Sequence, residues 1–232
     1  MTLTEFRKEL ESRIARHDLL CHPFYQAWTK GQLTHQDLRA YATQYFHHVA
    51  AFPEYLEMLE VRLESDPRLA EAVSHNRAEE EGADCDGRSH AEMWLDFAEG
   101  MGADRATVAG SVPLPEIEDL MSTFRGIARE GTTAEALAAF YAYESQVPRI
   151  AEEKARGLKN IYGADERTYR YFTHHQSADV YHSLVWSEQL EKQIDGPSEA
   201  LQIKALDAAE RVARSLWQAL DGVERDRLAR AA

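Results

Sequence analysis

From end to end this chain repeats apolar residues every three and four positions, and strand-like alternation is nearly absent. That spacing restricts the fold to packed helices. Leu3, Phe6, Leu10 and Ile14 share one helix face. Thr34 with Asp37 reads as a capping-box start for a long helix, LRAYATQYFHHVAAFPEYLEMLEVRLES, which Pro53 is expected to kink. A new helix starts at Asp66-Pro67 and stops near Gly82, and a turn-rich loop follows from Gly82 to Ser89. His90 opens another helix, and residues 108–115 form a proline-containing connector. Further helices are predicted over residues 115–129, 133–162 (bent near Pro148) and 166–194, with Ser198 capping a last helix to about Leu220. No repeat, low-complexity tract or flexible linker intervenes. Residues 1–232 therefore read as a single all-α domain, a bundle of seven to nine helices.

Charge narrows the partners. With 26 basic and 40 acidic residues the formal net charge is −14. Such a surface repels phosphate backbones and anionic lipid, so neither nucleic acid nor a membrane is expected as a partner. No apolar run approaches the roughly 18 residues of a membrane span, and the polar start MTLTEFRKELESR does not read as a targeting signal. Two cysteines, Cys21 and Cys85, are too few for a disulfide framework, which points to a reducing cytoplasm.

The informative residues are the ten histidines and ten tyrosines, which cluster. In FTHHQSADVYHS, His175, Asp179 and His182 are related by i, i+4 and i+7 and so fall within about 60° of one another on a helix. Two imidazoles and a carboxylate on one stripe are a ready set of metal ligands, though a plain polar face reads equally well. His174 lies off the stripe. Glu144 sits among Leu137, Phe140, Tyr141, Tyr143 and Val147, where a carboxylate must be buried and therefore paired or metal-bound. An ion pair with Arg149 or Lys154 is the plainer alternative. In NRAEEEGADCDGRSH, periodicity with Leu69, Val73 and Asn76 turns Glu80 inward, leaving Glu79 and Glu81 as solvated charge, and His90 begins the next helix. Cys85, between them, reads as an incidental loop cysteine.

Glu80, His90, Glu144, His175, Asp179 and His182 together make three carboxylates and three histidines. Such a nitrogen and oxygen set suits two first-row metals, iron or manganese, better than a closed zinc site.

The motifs HPFYQAWTKGQLT, AYATQYFHHVAAFPEYL, WLDFAEGMG, YAYESQVPRIAEEKARGL and YFTHHQSADVYH resemble the heme-oxygenase-like dimetal oxidases, and among them the CADD-like para-aminobenzoate synthases. The likeness runs from about Leu10 to Ile194; its first two motifs are shared more widely with thiaminase-like and quinone-cofactor-maturing relatives. It implies a heme-oxygenase-like bundle with two transition metals (two irons, or iron and manganese), with O2 and an external reductant as co-substrates. It implies the same six ligands. It also implies self-sacrifice: Tyr25 supplies the aromatic skeleton, Lys154 is the possible amine source, and Tyr41 is a further site tyrosine. A homodimer and an unidentified electron donor are expected partners. The other readings are an oxidase acting on an external small amine or acid, and a non-enzymatic interaction protein.

Overall fold

The structure, a computed structural model, describes residues 1–63, 65–83, 85–196 and 198–231. Among these residues there is no strand. The helices are α1 (Leu3–Ala15), α2 (Pro23–Thr29), α3 (His35–Glu60), α4 (Pro67–Glu80), α5 (His90–Gly100), α6 (Arg105–Ala109), α7 (Pro115–Glu130), α8 (Thr133–Glu144), α9 (Val147–Asn160), α10 (Glu166–Ile194) and α11 (Glu199–Ala231), with a 3-10 turn at Leu19–Cys21 before α2. None is long and apolar enough to cross a membrane.

The all-α class is the expected one, but the chain is cut more finely than seven to nine helices. Two short helices, α2 and α6, occupy stretches with too few residues to show a period. The predicted helix over 133–162 is two helices: α8 ends at Glu144 and α9 restarts with Pro148 in its first turn. The Gln146 side chain explains the break, because it donates to the Ala142 carbonyl while accepting from the Leu19 amide, 127 residues away. Conversely, α3 runs without interruption through Pro53. Its buried face, from Leu38 to Leu59, packs on α4, α5 and α7, and that tertiary packing carries the helix past the lost amide. The last helix continues beyond Leu220 to Ala231, its final turns tied to α7 and α3 by the Arg225–Glu116 and Arg230–Asp37 ion pairs.

Termination and capping set the site. Ser89 and Glu92 form a capping box that fixes the start of α5 at His90. Asp66 caps α4, whose last residue is Glu80. Asp165 caps α10, which lies against α5, α8 and α9. Asp96, buried on α5, accepts from Arg88, Arg105 and Arg167 and ties the connection before α5 to the next turn and to α10.

The approach of α2 to α9 is equally tight. A Cβ on Gly157 would stand 2.6 Å from Trp28 Nε1 and 2.9 Å from its Cδ1. Trp28 is fully buried and has no room to retreat. Helix propensity alone favours alanine by about 1 kcal/mol, whereas overpacking costs about 1–3 kcal/mol. Gly157→Ala is therefore expected to lower stability by roughly 1–2 kcal/mol in urea unfolding; a stabilised variant would show that the α2–α9 contact is looser than described.

Candidate metal centre and the buried tyrosines beside it

Glu80, at the end of α4, meets His90, at the start of α5, across the 82–89 connection: Oε2 lies 2.7 Å from Nδ1. His175, on α10, completes a set of three, with one ligand atom from each residue within 4.8 Å of the others. Its Nδ1–H donates to the Tyr171 carbonyl at 2.7 Å, one turn earlier, which fixes the tautomer and leaves Nε2 free to ligate. Glu144, Asp179 and His182 form a second set of three within the same 4.8 Å limit. His182 Nδ1 points between Asp179 (3.4 Å) and Glu144 (4.0 Å), while its Nε2–H donates to Glu79 at 2.6 Å. All six side chains are buried, none more than 6% exposed. Glu80, Glu144, His175 and Asp179 line one shared cavity with Val49, Phe52, Tyr143 and Tyr171.

Spacing and burial thus bring together the six residues chosen from the sequence, as two neighbouring trios. The alternative for Glu144 is excluded: Arg149 pairs with Asp18, and Glu144 instead accepts from Trp186 Nε1 and from Asn76 Nδ2 at 3.4 Å. Glu80 is the inward glutamate and Glu81 is exposed on Arg77, but Glu79 is not idle solvated charge, since it holds the outer nitrogen of His182. Sequence offered a signal for this: Glu79 and His75 share a helix edge, i and i+4, beside the buried stripe.

Electrostatics favours cations here. Burial, reinforced by the neighbouring Asp179 and Glu80, pushes Glu144 up from the ordinary carboxylate range. Burial does the same to Asp179, against the pull of His182. His182 Nδ1 has no hydrogen-bond partner among the described residues, although it is buried. A buried imidazole nitrogen aimed at two carboxylates, with its other nitrogen oriented by a third, is a ligand arrangement. The donor chemistry, three carboxylate and three imidazole groups in two sets, fits two first-row divalent ions.

A second buried cluster adjoins this one. Lys154, on α9, is 5% exposed, and its Nζ donates to Tyr25 Oη at 2.7 Å and to Tyr41 Oη. Tyr25 and Tyr41 are joined at 3.0 Å, hydroxyl to hydroxyl. The amine's hydrogen-bond partners among the described residues are phenols rather than carboxylates, and burial holds Lys154 well below its ordinary range. Burial also keeps both phenols protonated, raising Tyr25 and Tyr41 well above 10. Tyr25 and Lys154 line a cavity of about 20 Å³ with Tyr45, Tyr143 and Tyr171, and the last two also wall the metal-side cavity. Sequence reasoning missed these three tyrosines. Tyr45, Tyr143 and Tyr171 face one another across this cavity, and the Tyr171 ring stacks on His175 with centroids 4.0 Å apart. Glu144 and Lys154, ten residues apart, do not share a helix, because the chain breaks between α8 and α9. They approach the same region from two helices instead.

Comparison with known proteins follows the same lines. The sequence pattern of the family described as iron-containing redox enzymes matches residues 39–217. A 4-aminobenzoate synthase of Nitrosomonas europaea is 38% identical over 96% of this chain and 92% of its own. A 4-aminobenzoate synthase of Chlamydia pneumoniae is 33% identical, covering 94% of each chain. Among solved structures, a heme-oxygenase-like domain from Shewanella denitrificans superposes with a TM-score of 0.82 at 19% identity, covering 100% of this chain and 96% of that one. A CADD-like protein from Nostoc punctiforme gives 0.77 at 16% identity, over 96% of this chain and 99% of that one. With its helical bundle, its two buried donor sets and relatives matched along nearly its full length, the chain belongs to the heme-oxygenase-like family of iron-containing redox enzymes.

Proposed function

We propose that the protein is a 4-aminobenzoate synthase that builds its product, a folate precursor, from its own Tyr25. The observation that carries this reading is the Lys154–Tyr25–Tyr41 cluster, which shares its Tyr143 and Tyr171 wall with the two donor sets. In this reading Glu80, His90 and His175 hold one ion and Glu144, Asp179 and His182 the other, as two irons or iron with manganese. Those ions supply O2 activation and the oxidising power, with electrons from an external reductant.

The chain's own residues do the rest. 4-Aminobenzoate has one ring and one carbon para to its amine; a tyrosine side chain has one ring and one Cβ para to its hydroxyl. Cleavage between Cα and Cβ of Tyr25, oxidation of the released Cβ to the carboxyl level with O2 as oxidant, and replacement of the phenol oxygen, lost as water, by the Lys154 nitrogen, with its Cε–Nζ bond broken, would together yield the product. Lys154 stands at that oxygen as a neutral amine, with its lone pair available because burial disfavours the ammonium form. Tyr41 holds both the amine and the phenol in register. The space at the site supports an internal substrate. The two cavities measure about 10 and 20 Å³, whereas a benzene-sized guest occupies on the order of 150 Å³. A homodimer and a separate electron donor belong to the same reading.

Growth on ring-labelled tyrosine, followed by aerobic reaction with ferrous iron and reductant, should give labelled 4-aminobenzoate and a protein that has lost mass at position 25. Tyr25→Phe should form no detectable product yet still bind metal. Lys154→Arg puts a permanent cation without a free amine lone pair at that oxygen, and Lys154→Met has no nitrogen; both should be inactive. Unlabelled product, or full activity in Tyr25→Phe, would favour an oxidase of an external substrate.

The metal assignment has its own test. Glu79→Ala removes the acceptor that orients His182 and should weaken binding of one ion by about 10–100-fold, whereas Glu81→Ala should leave both affinities unchanged. Manganese titration read by electron paramagnetic resonance separates these outcomes, and equal losses in both variants would mean that the glutamates act only as surface charge.

A further inference from the structure

The connection that delivers His90 also places a donor set on its far side. Cys85 is 3% exposed, and its Sγ lies 3.6 and 3.8 Å from the two ring nitrogens of His174. The same thiol is within hydrogen-bonding reach of His90. One ligand atom from each of Cys85, His90 and His174 falls within 4.8 Å of the others. His174 and His175 are successive residues on α10 and leave it about 100° apart. The His90 ring packs against both, with centroids 4.9 Å from His174 and 4.5 Å from His175, which are themselves 5.3 Å apart. His90 is therefore common to the set with Glu80 and His175 and the set with Cys85 and His174.

We propose that Cys85, His90 and His174 form a thiolate-containing coordination position of their own, one that takes a borderline-soft divalent cation such as zinc and shares His90 with the carboxylate-rich position. Around a tetrahedral zinc ion with Zn–S of about 2.3 Å and Zn–N of about 2.0–2.1 Å, sulfur and nitrogen stand about 3.6 Å apart. The Cys85 and His174 atoms already have that separation. Binding displaces the thiol proton to solvent, and the half-buried His174 gives the position a side open to exchange. A neutral imidazole has a single lone pair for a metal, so His90 serves one position at a time. Thiolate and imidazole favour zinc, while the Glu80 side favours harder iron or manganese. The outer position thus sorts cations: a zinc ion held on Cys85 and His174 keeps His90 away from the inner set, and removing the zinc returns it.

The proposal shares His90 with the metal reading but is independent of the aminobenzoate chemistry. Cobalt(II) is the probe, because thiolate-to-cobalt charge transfer absorbs in the near ultraviolet and carboxylate or imidazole ligation does not. Anaerobic titration of the metal-free protein should give that band in the wild type, in Cys21→Ser and in His175→Ala, which cripples the inner set only. Cys85→Ser should lose the band while retaining its helical circular dichroism. A band that survives in Cys85→Ser, or one that vanishes in His175→Ala, would overturn a separate position. X-ray absorption of wild-type protein with one equivalent of zinc needs no variant: it should show one sulfur at about 2.3 Å, and a shell of nitrogen and oxygen alone would overturn the proposal. If the inner donors hold no metal at all, His175→Ala will match wild type in manganese titration, an outcome that defeats the metal reading and leaves the thiolate band untouched.

Discussion

The middle of this bundle is governed by the cost of burying ionisable groups. Glu80, Glu144 and Asp179 are all buried with His90, His175 and His182. A carboxylate in such surroundings is driven toward its protonated form unless a positive charge accompanies it, and Glu144 and Asp179 are displaced in that direction. The surrounding structure restrains these groups without consuming every donor atom. Trp186 and Asn76 hold Glu144, Glu79 holds the outer nitrogen of His182, and the Tyr171 carbonyl holds that of His175. What remains directed inward is a set of lone pairs suited to cations.

The same desolvation acts with the opposite sign on Lys154, and the two clusters work only if they stay apart. An amine beside Glu144 would be held as the ammonium, paired with the carboxylate and without a lone pair. The break at Ser145–Gln146 prevents this, since Glu144 closes α8 and Lys154 is carried on α9. Tyr143 and Tyr171 stand at the boundary of both cavities. Lys154 meets phenols rather than carboxylates, so burial displaces it toward its neutral form.

Helical spacing made much of this legible. The i, i+4, i+7 relation of His175, Asp179 and His182 survives because α10 is one regular helix, and the Asn76 and Val73 stripe selects Glu80 because α4 is regular to its end. What escaped the sequence depends on contacts between distant segments. The end of α8 is set by Gln146 reaching the Leu19 amide. Glu79 reads as surface charge until α10 brings His182 against it. Tyr143 and Tyr171 look like ordinary core aromatics, and only the meeting of α8 with α10 makes them a shared wall. Cys85 gave no periodic signal because it lies in a turn, and its significance comes from His174 on another helix.

The direction in which the helices enter the site strengthens its preference for cations. Glu80 is the last residue of α4 and Glu144 the last of α8. Both carboxylates therefore stand at the negative end of a helix dipole. For a bare carboxylate this placement is unfavourable, by about 0.3–1 kcal/mol at each end, and it adds to the burial that already raises Glu144. For a divalent cation the same potential is attractive, and two helix ends converge on one cavity. Helix N-termini that gather phosphates work by the opposite polarity. An anionic ligand would meet three buried carboxylates as well as these two helix ends, so side-chain charge and backbone polarity together favour positively charged occupants, with the α5 N-terminus at His90 contributing the opposite sign.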